Sequence, residues 1–161
     1  MADPVETERV PASPAKAATR YEDDLYGWVQ EQIALLRAGR FAELDAENVA
    51  EELSDVGDEQ YDKLQSALEV LLKHMLKWDR QPQRRSASWE ITMAAQRERM
   101  ATVIRKNPRL KSRLSEAVED GYRLARLDAA REMRVKPAAL PATCPYDWAS
   151  ITTRPFERDE G

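Results

Sequence analysis

The chain has a single histidine, His74, and this is the side chain best suited to proton transfer or metal binding near neutral pH. It lies in the apolar run 71–78, about 60° from the centre of the apolar helical face. A dinuclear metal site in a helical bundle needs Glu-x-x-His on two helices, but the positions three and four residues before His74 are apolar. We therefore expect a hydrogen-bonded packing role. The alternative is a metal- or acid/base-dependent enzyme that pairs His74 with Glu51 or Glu52.

Carboxylates cluster in the segment that precedes His74. Asp45 and Glu52 are seven residues apart, so a helix would place them on one face, two turns from each other. Such a pair can hold a divalent cation, but acidic helix faces are common and Asp is a frequent N-cap. We expect a cap and a solvated face here, and the sequence predicts no metal site, no cofactor and no catalytic residue.

Charge is strongly segregated along the chain. Residues 21–62 contain thirteen acidic and two basic residues, whereas residues 73–113 contain twelve basic and three acidic residues. The basic segment 73–113 also carries two tryptophans, so it is a candidate nucleic-acid interface. The candidate residues are Arg80, Arg84, Arg85 and Arg97. The isoelectric point near 5.2 argues against that role, and we favour neutralisation of the two segments by each other.

The composition of the chain argues against several classes of protein. One cysteine, Cys144, cannot form an internal disulfide, and the five glycines are never clustered into a phosphate-binding loop. No apolar run reaches membrane-spanning length, and the first twenty residues lack the apolar core of a signal peptide. We expect a cytoplasmic, bacterial-type protein that does not contact the membrane.

The 161 residues suit one domain with terminal extensions. Three prolines and no apolar period predict a disordered tail over residues 1–20. Residues 21–151 are rich in Ala, Leu, Glu, Arg and Gln, which predicts a single helical domain. Residues 152–161 are expected to be a loose C-terminus. The predicted fold is all-α, a compact bundle of four to five helices.

The first two predicted helices cover residues 21–38 and 45–78. Gly39 is placed to end the first helix, and Asp45 to begin the second. The second helix keeps one apolar phase across Gly57, which favours a single long helix; a break there, with Asp58 as a new cap, is the alternative. The residues expected to form the apolar stripe of the second helix are Val49, Leu53, Val56, Leu64, Leu68, Leu71, Met75 and Trp78.

The third and fourth helices are predicted over about 86–106 and 108–134. Ser86 or Ser88 is the cap of the third helix, and Asn107 followed by Pro108 is typical of a helix start. Prolines at 137, 141 and 145 then predict an extended connection, with a short turn over residues 146–151.

The order of several motifs resembles the bacterial domain-of-unknown-function 29 family. They include Asp45-x-x-Asn48-Val49-x-Glu51-Glu52-Leu53, Leu71-Leu72-x-His74-Met75-Leu76-Lys77-Trp78, Arg85-Ser86-x-Ser88-Trp89 and Cys144-Pro145-Tyr146. The resemblance covers roughly residues 21–151 and implies an all-α domain with no established activity. The polar residues that recur in the family correspond to Asn48, Glu51, Glu52, His74, Lys77, Arg85, Ser88 and Trp89. They are our candidate binding residues, either as a shared polar site or as a structural network.

With no catalytic set and a charge-segregated surface, the expected function is a non-enzymatic helical protein-interaction or regulatory module. Its expected partner is another protein, with a second copy of the chain as one option. Nucleic-acid binding through segment 73–113 and an enzyme centred on His74 remain the two alternatives.

Overall fold

A computed structural model describes residues 18–158, and the described part of the chain is all-α. It contains five α-helices, short 3₁₀ turns and no strand between those residues. The helices are α1 (Leu25–Arg37), α2 (Ala46–Arg80), α3 (Ala87–Lys106), α4 (Leu114–Met133) and α5 (Trp148–Thr153). The all-α prediction is confirmed. Most of the tail predicted over residues 1–20 lies outside the described residues.

Helix α1 begins later than predicted because Asp24 caps it. The Asp24 side chain accepts a hydrogen bond from the backbone N–H of Gly27, and residues 21–23 form a turn before it. Gly39 ends the helix with φ of +69°, a left-handed conformation that glycine adopts at low cost. The predicted end of the first helix is therefore correct.

Helix α2 is one continuous helix of 35 residues that runs through Gly57. The single long helix is the correct interpretation, and the break at Gly57 is wrong. The predicted apolar stripe is only partly buried, however. Leu53 is 67% exposed and Val56 57% exposed. Every buried residue of α2 lies at Tyr61 or later, so the first part of the stripe is not covered. Spacing alone predicts a common face but not how far along the helix a neighbour covers it.

The third and fourth helices have the predicted order with one difference. Ser86 caps α3 by accepting from the backbone N–H of Trp89. The segment that follows Asn107 begins as a 3₁₀ turn, Pro108–Arg113, and α4 starts only at Leu114. Arg134 ends α4 in the left-handed conformation with φ of 59°.

The chain divides into two compact units, the first ending at Leu53 and the second beginning at Ser54. This differs from the single helical domain predicted over residues 21–151. The core of the second unit is a helical bundle built from the later part of α2 packed with α3, α4 and α5. Its largest fully buried side chains are Leu64, Leu68, Leu71, Leu72, Met75, Leu76, Met93, Met100 and Ile151.

The segment after α4 is anchored, including residues expected to be loose. Arg97 on α3 donates from Nε to the Ile151 carbonyl at 2.8 Å and from Nη2 to the Ser150 carbonyl at 3.1 Å. Phe156 packs edge-on against Trp78 with 5.6 Å between ring centroids. Residues 152–158 therefore differ from the predicted loose C-terminus, because an aromatic residue and arginines tie them to the bundle.

Candidate functional site

A polar cluster joins α2 to the last turn of α4. Glu132 binds two lysines of α2: Lys73 Nζ lies 2.9 Å from one carboxylate oxygen and Lys77 Nζ 2.6 Å from the other. Lys77 is buried, and its ammonium also lies 4.4 Å from the ring centroid of Trp89 on α3. A single carboxylate thus forms ion pairs with two ammonium groups, and the cation–π contact links the third helix to them.

His74 lies beside this cluster and is half-buried. Its Nδ1 lies 2.7 Å from the Val70 carbonyl oxygen, which can only accept, so Nδ1 carries the proton. Its ring meets Trp89 edge-on, with 6.3 Å between centroids. Burial and the nearby ammonium groups of Lys77 and Lys73 lower the pKa of His74. No carboxylate is hydrogen-bonded to the imidazole among residues 18–158, and the contacts of His74 are the Val70 carbonyl group and the Trp89 ring.

The electrostatics of the cluster are set by Glu132. Burial raises the pKa of its carboxyl group, but the hydrogen bonds and charges of Lys77 and Lys73 outweigh burial and bring it to about 2. Glu132 is not among the site residues predicted from the sequence. Lys77 and Glu132 are 55 residues apart, and no local motif marks the carboxylate as their partner.

Two further candidate binding residues of the second unit, Arg85 and Ser88, differ in their exposure to solvent. Arg85 is half-buried: its Nε donates to the Trp78 carbonyl at 3.0 Å and its guanidinium lies 4.9 Å from the Trp78 ring centroid. Ser88 is exposed.

Of the proposed nucleic-acid residues, Arg85 and Arg97 hold parts of the fold, whereas Arg80 and Arg84 are exposed and have no ion pair within the described residues. A continuous basic surface made by all four is therefore not supported.

The remaining candidates lie in the first unit, where Asp45 organises the start of α2. Its side chain accepts from the Asn48 amide at 2.7 Å and from the indole N–H of Trp28 at 3.2 Å, and its backbone N–H donates to Gln32 at 2.9 Å. The side-chain hydrogen bond from Asn48 lowers the pKa of Asp45. The Asp45 carboxylate also accepts from the backbone N–H of Asn48 at 3.4 Å, which confirms the predicted cap.

The two candidate glutamates of the first unit, Glu51 and Glu52, differ in their contacts. Glu52 accepts a hydrogen bond from the Tyr21 hydroxyl at 2.7 Å. Glu51 is exposed and has no hydrogen bond or ion pair within the described part of the chain. Tyr21 meets Glu52 and Trp28 meets Asp45, so residues 21–53 form an antiparallel hairpin, named here the acidic hairpin.

Large apolar side chains are exposed on the acidic hairpin. Tyr26 is 76% exposed and Phe41 66%, and Leu25, Leu36 and Leu53 are also exposed. Leu25, Val29 and Leu36 are spaced by four and seven residues, so they share one face of α1. Only Trp28 and Gln32 of α1 are buried. Much of this apolar face of α1 is therefore in contact with solvent.

The second unit has an open groove of about 1000 Å³ between α4 and the segment 142–151. Its apolar wall includes Leu114, Val118, Leu127 and Trp148. Cys144 also lines it and is half-buried, with its thiol 3.6 Å from the Tyr146 carbonyl oxygen; burial raises the pKa of the thiol, which makes it a poor nucleophile.

A second polar cluster, which was not predicted from the sequence, lies at the C-terminal end of α2 around Asp79. The Asp79 carboxylate accepts from the Tyr146 hydroxyl at 2.8 Å and from Arg154 at 2.6 and 3.1 Å. Burial raises the pKa of Asp79, but the hydrogen bonds from Arg154 and Tyr146 outweigh it and lower the pKa overall. This cluster attaches the C-terminal segment to α2, and its three side chains, Asp79, Tyr146 and Arg154, are hydrogen-bonded within it.

Across residues 18–158, no three His, Cys, Asp or Glu side chains are grouped so as to hold a metal ion. None of the described helices combines the length and apolarity needed to cross a membrane. Comparison with curated proteins and with solved structures gives no significant match. A family model described as "Domain of unknown function DUF29" matches residues 20–157, which is most of the chain. The chain therefore belongs to that family.

Proposed function

We propose that the protein is a non-enzymatic interaction module that binds another protein through its acidic hairpin. One observation carries the proposal: five large apolar side chains of the hairpin are exposed to solvent. Isolated exposed apolar residues are ordinary, but a concentration of them on one small unit is typical of an interaction surface.

The charge of the hairpin indicates what kind of partner fits it. Residues 21–53 include nine acidic and two basic residues. A partner must therefore offer an apolar surface that is bordered by basic side chains, because like charges at an interface are unfavourable. A basic amphipathic helix has this combination, and it would lie along the apolar face of α1.

The polar clusters support a role without catalysis. Inside the second unit, Lys77 forms an ion pair with Glu132, and His74 is hydrogen-bonded to a backbone carbonyl group. In the first unit, Asp45 and Asn48 complete a helix cap. These groups stabilise the fold, and none of the contacts leaves a paired acid and base facing a cavity.

The test is a capture experiment with matched variants of the full chain. L36D/L53D places two charges on the proposed surface, and I91D places one on α3, at a residue that is 68% exposed outside the hairpin. We expect a partner that is retained in stoichiometric amount by wild type and I91D, with or without nuclease, and lost from L36D/L53D. Equal retention by L36D/L53D, or loss on nuclease treatment, would contradict the proposal.

A further inference from the structure

Arg126 differs from the other arginines of α4 in having no acidic partner among residues 18–158. Arg123 pairs with Asp120 and Arg131 with Asp128, each three residues earlier on the helix. The residue three before Arg126 is itself an arginine, and no ion pair of Arg126 occurs within the described residues. Arg126 is half-buried, so part of its hydration is lost without a compensating anion.

The guanidinium of Arg126 is oriented by the protein. Its Nε donates to the Leu140 carbonyl at 3.3 Å, which leaves the two terminal amino groups without a hydrogen bond inside the described chain. A guanidinium presents such amino groups in a planar fork that matches a carboxylate. Within residues 18–158, the Arg126 guanidinium is thus held by one hydrogen bond and has no acidic partner.

This arginine lines the open groove of the second unit. Leu114 and Arg126 are twelve residues apart on α4, so the groove extends roughly 18 Å along the helix. Leu114, Val118 and Leu127 supply its apolar wall on α4, and Trp148 of α5 also lines it. The volume of about 1000 Å³ is at the upper end of the range for small-molecule sites.

The two carboxylates of the groove do not provide the missing anion. Asp120 already accepts from the Tyr61 hydroxyl at 2.8 Å and from Arg123 at 2.6 Å. Glu119 is exposed, and no ion pair joins it to Arg126. Lys111 at the other end adds a further cation with no ion pair among the described residues. The charge at this groove therefore favours an anionic occupant.

We propose that the groove binds a small amphiphile made of one apolar chain and a carboxylate head, with Arg126 holding the head. The apolar chain would lie along α4 against Val118 and Leu127, toward Leu114 and Trp148. This site is independent of the acidic hairpin, since all of its residues lie in the second unit.

The test is isothermal titration of the full chain with dodecanoate below its micelle concentration. Dodecyltrimethylammonium, which has the same chain and the opposite charge, is the ligand control. We expect 1:1 binding of dodecanoate, roughly ten- to a hundredfold weaker for R126Q because charge-assisted hydrogen bonds are lost. R123Q is the matched variant: it removes an arginine of the same groove that is already paired, and we expect less than about a threefold change.

R126K and L127D complete the design. R126K keeps the charge without the planar fork, so it should bind between wild type and R126Q, and it also serves if R126Q does not fold. L127D should abolish binding. Failure of dodecanoate to bind, equal binding of dodecyltrimethylammonium, or equal losses for R126Q and R123Q would overturn the proposal. Binding to phosphatidylglycerol vesicles without binding to free dodecanoate would also overturn it, because the anion would then be a membrane headgroup.

Discussion

Gly121 on α4 lies directly against Leu68 on α2. A Cβ atom built on the glycine would fall 3.1 Å from the Leu68 Cβ and 3.2 Å from two backbone atoms of α2, Gln65 O and Glu69 N. Two of these three neighbours are backbone atoms, which cannot move aside as a side-chain end can. The absence of a side chain at Gly121 therefore sets how closely the two helices pack.

The first prediction concerns this helix contact. We expect G121A to lower the free energy of unfolding by about 1–3 kcal/mol, because the added methyl group forces α4 away from α2. The matched control is G57A. Gly57 lies in the interior of α2 with nothing within 4 Å of an added Cβ, so alanine there should stabilise the protein by about 0.5–1 kcal/mol. Urea denaturation of both variants checks this, and equal effects would contradict the packing role of Gly121.

The second prediction concerns the carboxylate that holds two lysines. E132Q leaves the buried Lys77 ammonium and the neighbouring Lys73 without a counter-charge. We expect a loss of about 2 kcal/mol, less than for a fully buried pair because the Glu132 side chain is partly exposed. E119Q is the control on the same helix: Glu119 is exposed and unpaired among the described residues, so its loss should stay within about 0.5 kcal/mol.

K77M gives an internal check on that cluster. Methionine keeps much of the apolar stem of Lys77, and Glu132 would still bind Lys73. K77M should therefore cost less than E132Q. If K77M proved the more damaging of the two, the contact of Lys77 with Trp89 would be the dominant interaction instead.

The third prediction is a pH dependence. The folded protein holds the pKa of Glu132 at about 2, against 4.5 for an unperturbed glutamate. The unfolded chain thus takes up the proton first as pH falls, so this stabilisation is complete above about pH 4.5 and is lost as pH falls toward 2. The difference in unfolding free energy between wild type and E132Q should shrink from pH 6 to pH 3. A constant difference over that range would show that the ion pairs contribute little.

The lowered pKa of His74 acts in the same direction at a higher pH. Its neutral form is favoured in the folded protein, so the contribution is present above the ordinary pKa of 6.5 and lost as pH falls below it. Wild type and E132Q share this histidine, so most of its contribution cancels in their difference, because Glu132 is the smallest of the influences on the His74 pKa.

Local patterns predicted the described helices well because their signals lie within a few residues. Asp45, Ser86 and Gly39 act through neighbouring backbone groups, and each has the predicted role at a helix end. Long-range partners carry no such signal. Glu132 meets Lys77 across 55 residues, and Arg154 meets Asp79 across 75, so neither pair was predicted.

The apolar period was correct in phase but did not predict the extent of burial. Leu64 and Leu68 are fully buried, whereas Leu53 has the same phase on the same helix and is exposed. Whether a residue of the stripe is covered depends on which helix packs there, which is a tertiary property. Leu53 also belongs to the proposed partner surface, so at this residue the departure from the sequence prediction coincides with the candidate function.

The last prediction concerns the C-terminal segment. Phe156 packs on Trp78, and the guanidinium groups of Arg97 and Arg154 lie 4.9 and 5.1 Å from its ring centroid. F156A removes this anchor, and we expect a loss of about 1–2 kcal/mol together with faster hydrogen exchange at the Arg158 amide, which donates to Glu90 at 3.1 Å. Helix α5 should keep its protection, since Arg97 still binds the carbonyl groups of Ser150 and Ile151.

F41A is the matched control because Phe41, the only other phenylalanine, is exposed on the acidic hairpin and should have almost no effect on stability. Unchanged exchange at Arg158 in F156A would show that the ion pairs of Arg154 and Arg158 hold the segment without the aromatic anchor.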